Sequence, residues 1–120
     1  MLPTNTPIYV ALGRVDLRWS FDLLIGVVRD RLRHDPRGGL VVFVNRRADR
    51  AKILFHDGSG WCLLYKRLDR GVFPMPETLD PNASSVRISA RELELILLGR
   101  DLPSSRRARD LPKKSTPIVH

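Results

Sequence analysis

The chain has 120 residues, of which 42% are hydrophobic, and it carries a formal net charge of +8 with an isoelectric point near 10.8. This length and composition predict one soluble globular domain with a real core and leave little room for a second domain. The single cysteine, Cys62, excludes an intrachain disulfide, and no apolar run approaches the ~20 residues that a membrane-spanning helix needs. Because no basic segment followed by a long apolar stretch begins the chain, we expect a cytoplasmic protein.

The excess positive charge is concentrated in two segments. Residues 40–76 hold seven Lys or Arg against three Asp, and residues 99–120 hold six against two. An anionic partner is therefore expected, since a basic surface attracts nucleic acid or an acidic membrane before any specific contact forms. Charge alone does not choose between these partners.

In chain order, residues 1–7 contain two prolines and predict a loose lead-in, while residues 8–12 predict a first strand. After Ser20 the apolar side chains recur with the period of an α-helix, so that they lie in one stripe along it. The stripe consists of Phe21, Leu24, Ile25, Val28 and Leu32. We therefore expect the main amphipathic helix over residues 21–32, with the Ser20 hydroxyl capping its first amides.

Three further strands are predicted at Leu40–Val44, at residues 52–56 and at Trp61–Arg67. The last two are joined by residues 57–60, Asp-Gly-Ser-Gly, which predict a tight turn because both glycines accept positive φ. These two strands should therefore form a β-hairpin, with His56 opposite Trp61.

Strand alternation assigns the hairpin side chains to two faces. One face carries Lys52, Leu54 and His56 with Trp61, Leu63, Tyr65 and Arg67, and the other carries Ala51, Ile53 and Phe55 with Cys62, Leu64 and Lys66. We expect the main helix to pack on the second face, which is the more apolar. The first face interleaves aromatic and basic groups, which suits stacking on bases and pairing with phosphates. Alternatively, Trp61 and Tyr65 cover a second small core under the C-terminal helix.

The remaining elements are a short edge strand at residues 86–88 and a second, shorter helix that ends at Gly99. Ser89 and Glu92 have the spacing of a capping box at its start. Residues 103–120 predict a basic, disordered tail. The fold class is therefore α+β: a small, mostly antiparallel sheet of about four strands, one main amphipathic helix and a short C-terminal helix, in a single domain over residues 8–102.

Enzymatic motifs are missing from the sequence. The histidines and the cysteine do not have metal-ligand spacing, and neither a nucleophile motif nor a glycine-rich phosphate loop is present. Metal-dependent DNA cleavage would need clustered carboxylates. Each candidate is better explained as a local charge partner or turn former: Asp16, Asp49, Asp57 and Asp69. We predict no enzymatic activity, no cofactor or metal, and no small-molecule substrate.

Three stretches carry a family resemblance: NRRADRAKILF at residues 45–55, DGSG at 57–60 and YKRLDRGVFP at 65–74. In order and spacing they closely resemble TnpB, the accessory protein of the IS-sixty-six (IS66) family of bacterial insertion sequences. Weaker matches extend the resemblance to about residues 8–102. It implies a small protein that is encoded beside a separate transposase and is needed, with it, for movement of the element. It implies no catalytic residues.

Two hypotheses of different classes follow. The first is a DNA-binding accessory module that engages the ends of the element; the second is a protein-interaction module that docks on the transposase or another accessory protein, with an incidental basic surface. A metal nuclease is a third, less favoured possibility. For the first hypothesis the candidate DNA contacts are Arg46, Arg47, Arg50, Lys52, Tyr65, Lys66, Arg67 and Arg70, with further tail contacts at Arg106, Arg107, Arg109, Lys113 and Lys114.

Overall fold

The computed structural model describes residues 5–13 and 15–102. In this part of the chain one five-stranded sheet is covered by helices on both faces. The strands are β1 (Ile8–Ala11), β2 (Leu40–Val44), β3 (Arg50–His56), β4 (Trp61–Arg67) and β5 (Ser85–Ile88). Helix α1 is α-helical over Phe21–Gly26 and continues as a π-helical segment over Val27–Arg31, and α2 spans Ala90–Leu97.

The strands lie in the order β4-β3-β2-β1-β5. Neighbouring strands are antiparallel except β1 and β2, which are parallel and are joined by the crossover that contains α1. The predicted α+β class and mostly antiparallel sheet are therefore confirmed. The sheet has five strands rather than about four because β5 pairs along β1.

The β3–β4 hairpin has the predicted register, with His56 opposite Trp61 and Lys52 opposite Tyr65. Its turn is held by the Asp57 carboxylate, which accepts hydrogen bonds from the backbone N–H groups of Ser59 and Gly60, both at 2.9 Å. These bonds lower the pKa of Asp57 from its ordinary 3.8 to about 2, the Ser59 amide contributing most. Asp57 is thus a turn former, as predicted.

The helices cover opposite faces of the sheet from those expected. Leu24 and Val28 of α1 pack in one core with Leu54, together with the partly buried Trp61 and Leu63. The predicted contact of this helix with the face of Ile53, Phe55 and Leu64 is wrong. That face is instead covered by α2, through the fully buried Ile96, and by the segment after β4, through the fully buried Phe73.

The alternative placement of the aromatic residues under the C-terminal helix is also wrong. Trp61 packs beside α1, whereas Tyr65 is 55% exposed and covers no core. The cause is that β3 is buried on both faces, Leu54 being 1% and Ile53 5% exposed, so each face supports a core of its own.

The two helices begin differently. Ser20 occupies the N-cap position of α1, but its side chain makes no capping hydrogen bond, contrary to expectation; its backbone carbonyl accepts the Leu24 N–H at 3.2 Å. Ser89 forms the predicted capping box, in which its own N–H donates to Glu92 and its hydroxyl accepts the Glu92 N–H. At the other end of α2, Gly99 has φ +71° and donates to the Ile96 carbonyl.

No helix within residues 5–13 and 15–102 is long and apolar enough to cross a membrane.

Candidate nucleic-acid interface

The turn between β2 and β3 is built on Asn45. Its side-chain oxygen accepts the backbone N–H groups of Asp49 and Arg50 at 3.0 Å, and its amide nitrogen donates to the Asp49 carboxylate at 2.7 Å. That last bond holds the pKa of Asp49 below its ordinary value. The carboxylate is therefore used to fix the turn, and Arg46 and Arg47 are left exposed at its tip.

Two strands continue this basic surface away from the turn. Arg50 of β3 lies directly opposite Arg67 of β4, and Lys52 lies opposite Tyr65. The Lys52 ammonium is 5.1 Å from the centroid of the Tyr65 ring and donates to the Trp19 carbonyl at 2.9 Å. Like charges directly opposite each other on a sheet are destabilising, so the Arg50–Arg67 pair lowers the stability of the hairpin.

The turn and the strands enclose a concave surface. The larger part is a depression of about 580 Å³ lined by Val15, Asp16, Leu17, Arg18, Asn45, Arg46, Arg47, Arg50, Lys52 and Tyr65. A second depression of about 340 Å³, which shares Arg50 and Tyr65 with the first, adds Arg67. We call the two together the basic groove.

One wall of the basic groove is the segment that leads into α1. There the Arg18 guanidinium donates hydrogen bonds to both carboxylate oxygens of Asp16, with a shortest N–O distance of 2.7 Å. The Arg18 side chain is the largest cause that lowers the pKa of Asp16 from 3.8 to about 2, and Lys52 adds a smaller attraction. Arg18 was not predicted from the sequence as a groove residue. The only local indication was its position two residues after Asp16, a possible ion-pair partner.

The groove collects six of the eight predicted contact residues of the folded domain: Arg46, Arg47, Arg50, Lys52, Tyr65 and Arg67. Lys66 is on the other face, where its ammonium donates to the Leu97 carbonyl at 2.6 Å at the C-terminal end of α2. Arg70 is exposed after β4 but is not among the groove-lining side chains. The predicted tail contacts lie outside the described residues.

Ion pairs between the described residues join Arg18 to Asp16, Arg29 to Asp30 and Arg91 to Glu94. None of them involves the remaining groove arginines, so these guanidinium groups have no carboxylate within 4 Å in that part of the chain. The arginines concerned are Arg46, Arg47, Arg50 and Arg67. The groove therefore presents a concentrated positive charge to an incoming ligand.

A metal site would require a cluster of ligating side chains. Within the described ranges, no group of three or more His, Cys, Asp or Glu side chains could hold a metal ion. The Asp16 carboxylate, which lines the groove, is bonded to Arg18, and the Asp49 carboxylate in the adjoining turn is bonded to Asn45.

Comparison with known proteins identifies the family of the chain. The family model described as "IS66 Orf2 like protein" matches residues 6–107. The chain belongs to the IS66 Orf2-like family. The resemblance to this family in the sequence is thereby confirmed, and the matched range includes every described strand and helix and all the groove residues.

Two relatives of this IS66 Orf2-like chain come from Sinorhizobium fredii (strain NBRC 101917 / NGR234). The chain is 36% identical over 104 residues to "uncharacterized protein y4hO", covering 84% of the chain and 88% of the relative. It is 35% identical over 95 residues to "uncharacterized protein y4jC", covering 78% and 79%. No solved structure matches the chain.

Family membership makes the chain an insertion-sequence protein of the accessory, Orf2-like kind, which works with the transposition machinery of the element. It does not by itself assign a ligand to the basic groove.

Proposed function

We propose that the chain is a non-catalytic DNA-binding accessory protein for transposition of an IS66 insertion sequence. It acts in the cytoplasm with a separate transposase and holds DNA at the ends of the element in the basic groove. The observation that carries the proposal is the convergence of four guanidinium groups without ion-pair partners among the described residues, at Arg46, Arg47, Arg50 and Arg67.

The ligand chemistry follows from these side chains. A guanidinium group presents a planar fork of donors that matches a phosphate group, and such charge-assisted bonds are stronger than neutral ones. A phosphate between Arg50 and Arg67 would also offset the repulsion between these opposed charges. The exposed Tyr65 ring adds a flat surface against sugar or base.

Such a groove positions DNA more than it reads sequence, since phosphate contacts fix register and orientation but carry no direct sequence information. We propose further contacts from Arg70 and from the basic residues of the segment at 103–120. Lys66 is not part of the proposed contact set, because its ammonium is bonded to α2 on the opposite face.

The second candidate function is docking on the transposase or another accessory protein without DNA readout. It is favoured by large apolar side chains that are more than half exposed, at Leu23, Val72, Leu79 and Leu98. Scattered apolar side chains are ordinary on protein surfaces, whereas an uncompensated cluster of arginines is costly, so DNA binding is the better-supported function.

The test is DNA binding measured over a salt series, with element-end DNA and a scrambled duplex. Each lost phosphate contact reduces the slope of log affinity against log salt by about 0.9, so Arg46→Ala/Arg47→Ala/Arg50→Ala should flatten it by roughly two to three units. The fold should persist, because exposed charges contribute little to stability. The matched control removes three exposed arginines away from the groove, Arg29, Arg87 and Arg91, and should leave the slope nearly unchanged.

Transposase co-purification separates the two functions. The docking alternative expects the groove variant to lose the transposase, while wild-type DNA binding is weak and indifferent to the substitutions. Removing the chain after Leu102 should lower DNA affinity and retain any sequence preference. Wild-type protein that binds neither duplex at low salt would refute the DNA proposal.

A further inference from the structure

Strand β4 forms one edge of the sheet, with β3 on one side of it and no described strand on the other. It is seven residues long, and its middle is apolar and open to solvent, Leu64 being 47% and Tyr65 55% exposed. Its basic residues, Lys66 and Arg67, are confined to one end. A long edge strand that lacks charge at its centre is a template for pairing with another strand.

The hydrogen-bond pattern tells which backbone groups face the open edge. At the two ends of the ladder, the Asp57 N–H donates to the Gly60 carbonyl and the Leu68 N–H donates to the Asp49 carbonyl. Because bonded and non-bonded pairs alternate in an antiparallel ladder, Cys62, Leu64 and Lys66 bond to β3. The main-chain groups of the alternate residues therefore point outward: Trp61, Leu63, Tyr65 and Arg67.

We propose that β4 pairs antiparallel with β4 of a second copy of this chain, about a two-fold axis that passes between the two Leu64 residues. The two five-stranded sheets then form one ten-stranded sheet. This register allows all four outward-facing residues of each strand to exchange N–H···O=C bonds, and shifting it by two residues in either direction loses some of them. The inference goes beyond the proposed function and does not depend on it.

The side chains of β4 are self-complementary in this register. Leu64 meets Leu64, Leu63 meets Tyr65, and each Cys62 meets Lys66 of the second copy, so no like charges lie opposite each other. The Cys62 thiol is 3.7 Å from the Asp57 carboxylate, which brings the basic end of one strand to the acidic turn of the other. Opposite charges at the two ends of the paired strands thus add to the apolar contact at their centre.

One consequence concerns the basic groove. Trp61, Leu63, Tyr65 and Arg67 lie on the same face in both copies, so the two grooves open on the same side of the ten-stranded sheet.

A cysteine placed on the two-fold axis tests the register directly. In Cys62→Ser/Leu64→Cys, the two new thiols occupy a non-hydrogen-bonded pair with Cα atoms about 4.5 Å apart, within the range that a disulfide spans. Mild oxidation of the full chain should give a covalent dimer in high yield. In the wild type the two Cys62 residues are offset by four positions, about 14 Å along the strands, and should not cross-link. Cys62→Ser/Leu98→Cys, at a comparably exposed position directly after α2, is the control.

Sedimentation of the full chain over a dilution series supplies the second measurement. Wild type should sediment at twice the monomer mass at high concentration, whereas Leu64→Lys, which places two ammonium groups at the axis, should remain monomeric with an unchanged circular dichroism spectrum. Wild type that stays monomeric throughout, or equal cross-linking at positions 64 and 98, would overturn the proposal. Should Leu64→Lys fail to fold, the cross-linking yields decide alone.

Discussion

At the scale of single residues, Asp57 shows how one carboxylate can specify a turn. Its Oδ1 atom accepts hydrogen bonds from two backbone N–H groups and from the Ser59 hydroxyl, so the folded chain stabilises the ionised form. The folded pKa of about 2 lies below the ordinary 3.8. The contribution to folding free energy is thus fully present above the ordinary pKa and is lost as the pH falls through the folded pKa.

We therefore expect Asp57→Asn to reduce the dependence of stability on acid pH. Between pH 3.8 and about 2, the free energy of unfolding should fall more steeply for the wild type than for the variant. Urea denaturation at several pH values measures both slopes. Asp16 titrates in the same range in both proteins, so its contribution cancels in the comparison. Asp69→Asn, at an exposed position, is the control, and parallel curves for wild type and Asp57→Asn would contradict the assignment.

The groove residues show what a sequence can and cannot reveal about a site. Strand alternation placed Lys52, Tyr65 and Arg67 on one side, because side-chain direction in a strand depends only on register. It also placed Lys66 on the other side, but the group that binds Lys66, the last turn of α2, comes from a distant part of the chain. Arg18 was missed for the same reason, since only tertiary packing brings its segment to β3.

At the scale of elements, local residue patterns predicted a strand or helix at the position of each one described, although the predicted sheet had about four strands rather than five. These patterns did not predict which helix packs on which face of the hairpin. Alternation normally marks the buried side of a sheet, but β3 has Leu54 on one face and Ile53 on the other, both buried. The residue pattern of a strand with two apolar faces therefore does not show which face packs against which helix.

The packing of α1 is tested by one substitution and its neighbour. Leu24 is fully buried, so Leu24→Asp removes its packing and forces a charge into an apolar core, which should cost about 3–5 kcal/mol. Leu23, the preceding residue, is 58% exposed, and Leu23→Asp should change stability by less than about 1 kcal/mol. Thermal and urea unfolding measure both values. Equal losses at the two positions would mean that the buried face of α1 is wrongly assigned.

At the scale of the whole molecule, the carboxylates are dispersed over separate local structures. Asp16 belongs to a loop with Arg18, Asp49 to the turn of Asn45, and Asp57 to the hairpin turn. Catalysis of DNA cleavage by two divalent metals needs such groups to surround ions about 3.5–4 Å apart.

Purified protein supplied with Mg²⁺ or Mn²⁺ should accordingly neither cut nor join DNA. Supercoiled plasmid and labelled element-end duplex are suitable substrates, with Asp16→Ala and Asp57→Ala proteins prepared in parallel to reveal contaminating nucleases. Metal-dependent nicking that survives purification and disappears in either variant would reverse this prediction.

The position of β1 in the sheet has a consequence for how the chain is made. This strand comes first in the sequence, yet it lies between β2 and β5, and Ile8 pairs with Ile88 near the other end of the described chain. Contacts between such distant segments give a high contact order and slow folding. During synthesis, β1 can leave the ribosome and find β2, but one of its sides stays unpaired until β5 has emerged. The domain therefore completes its sheet only when nearly all of residues 5–102 have been translated.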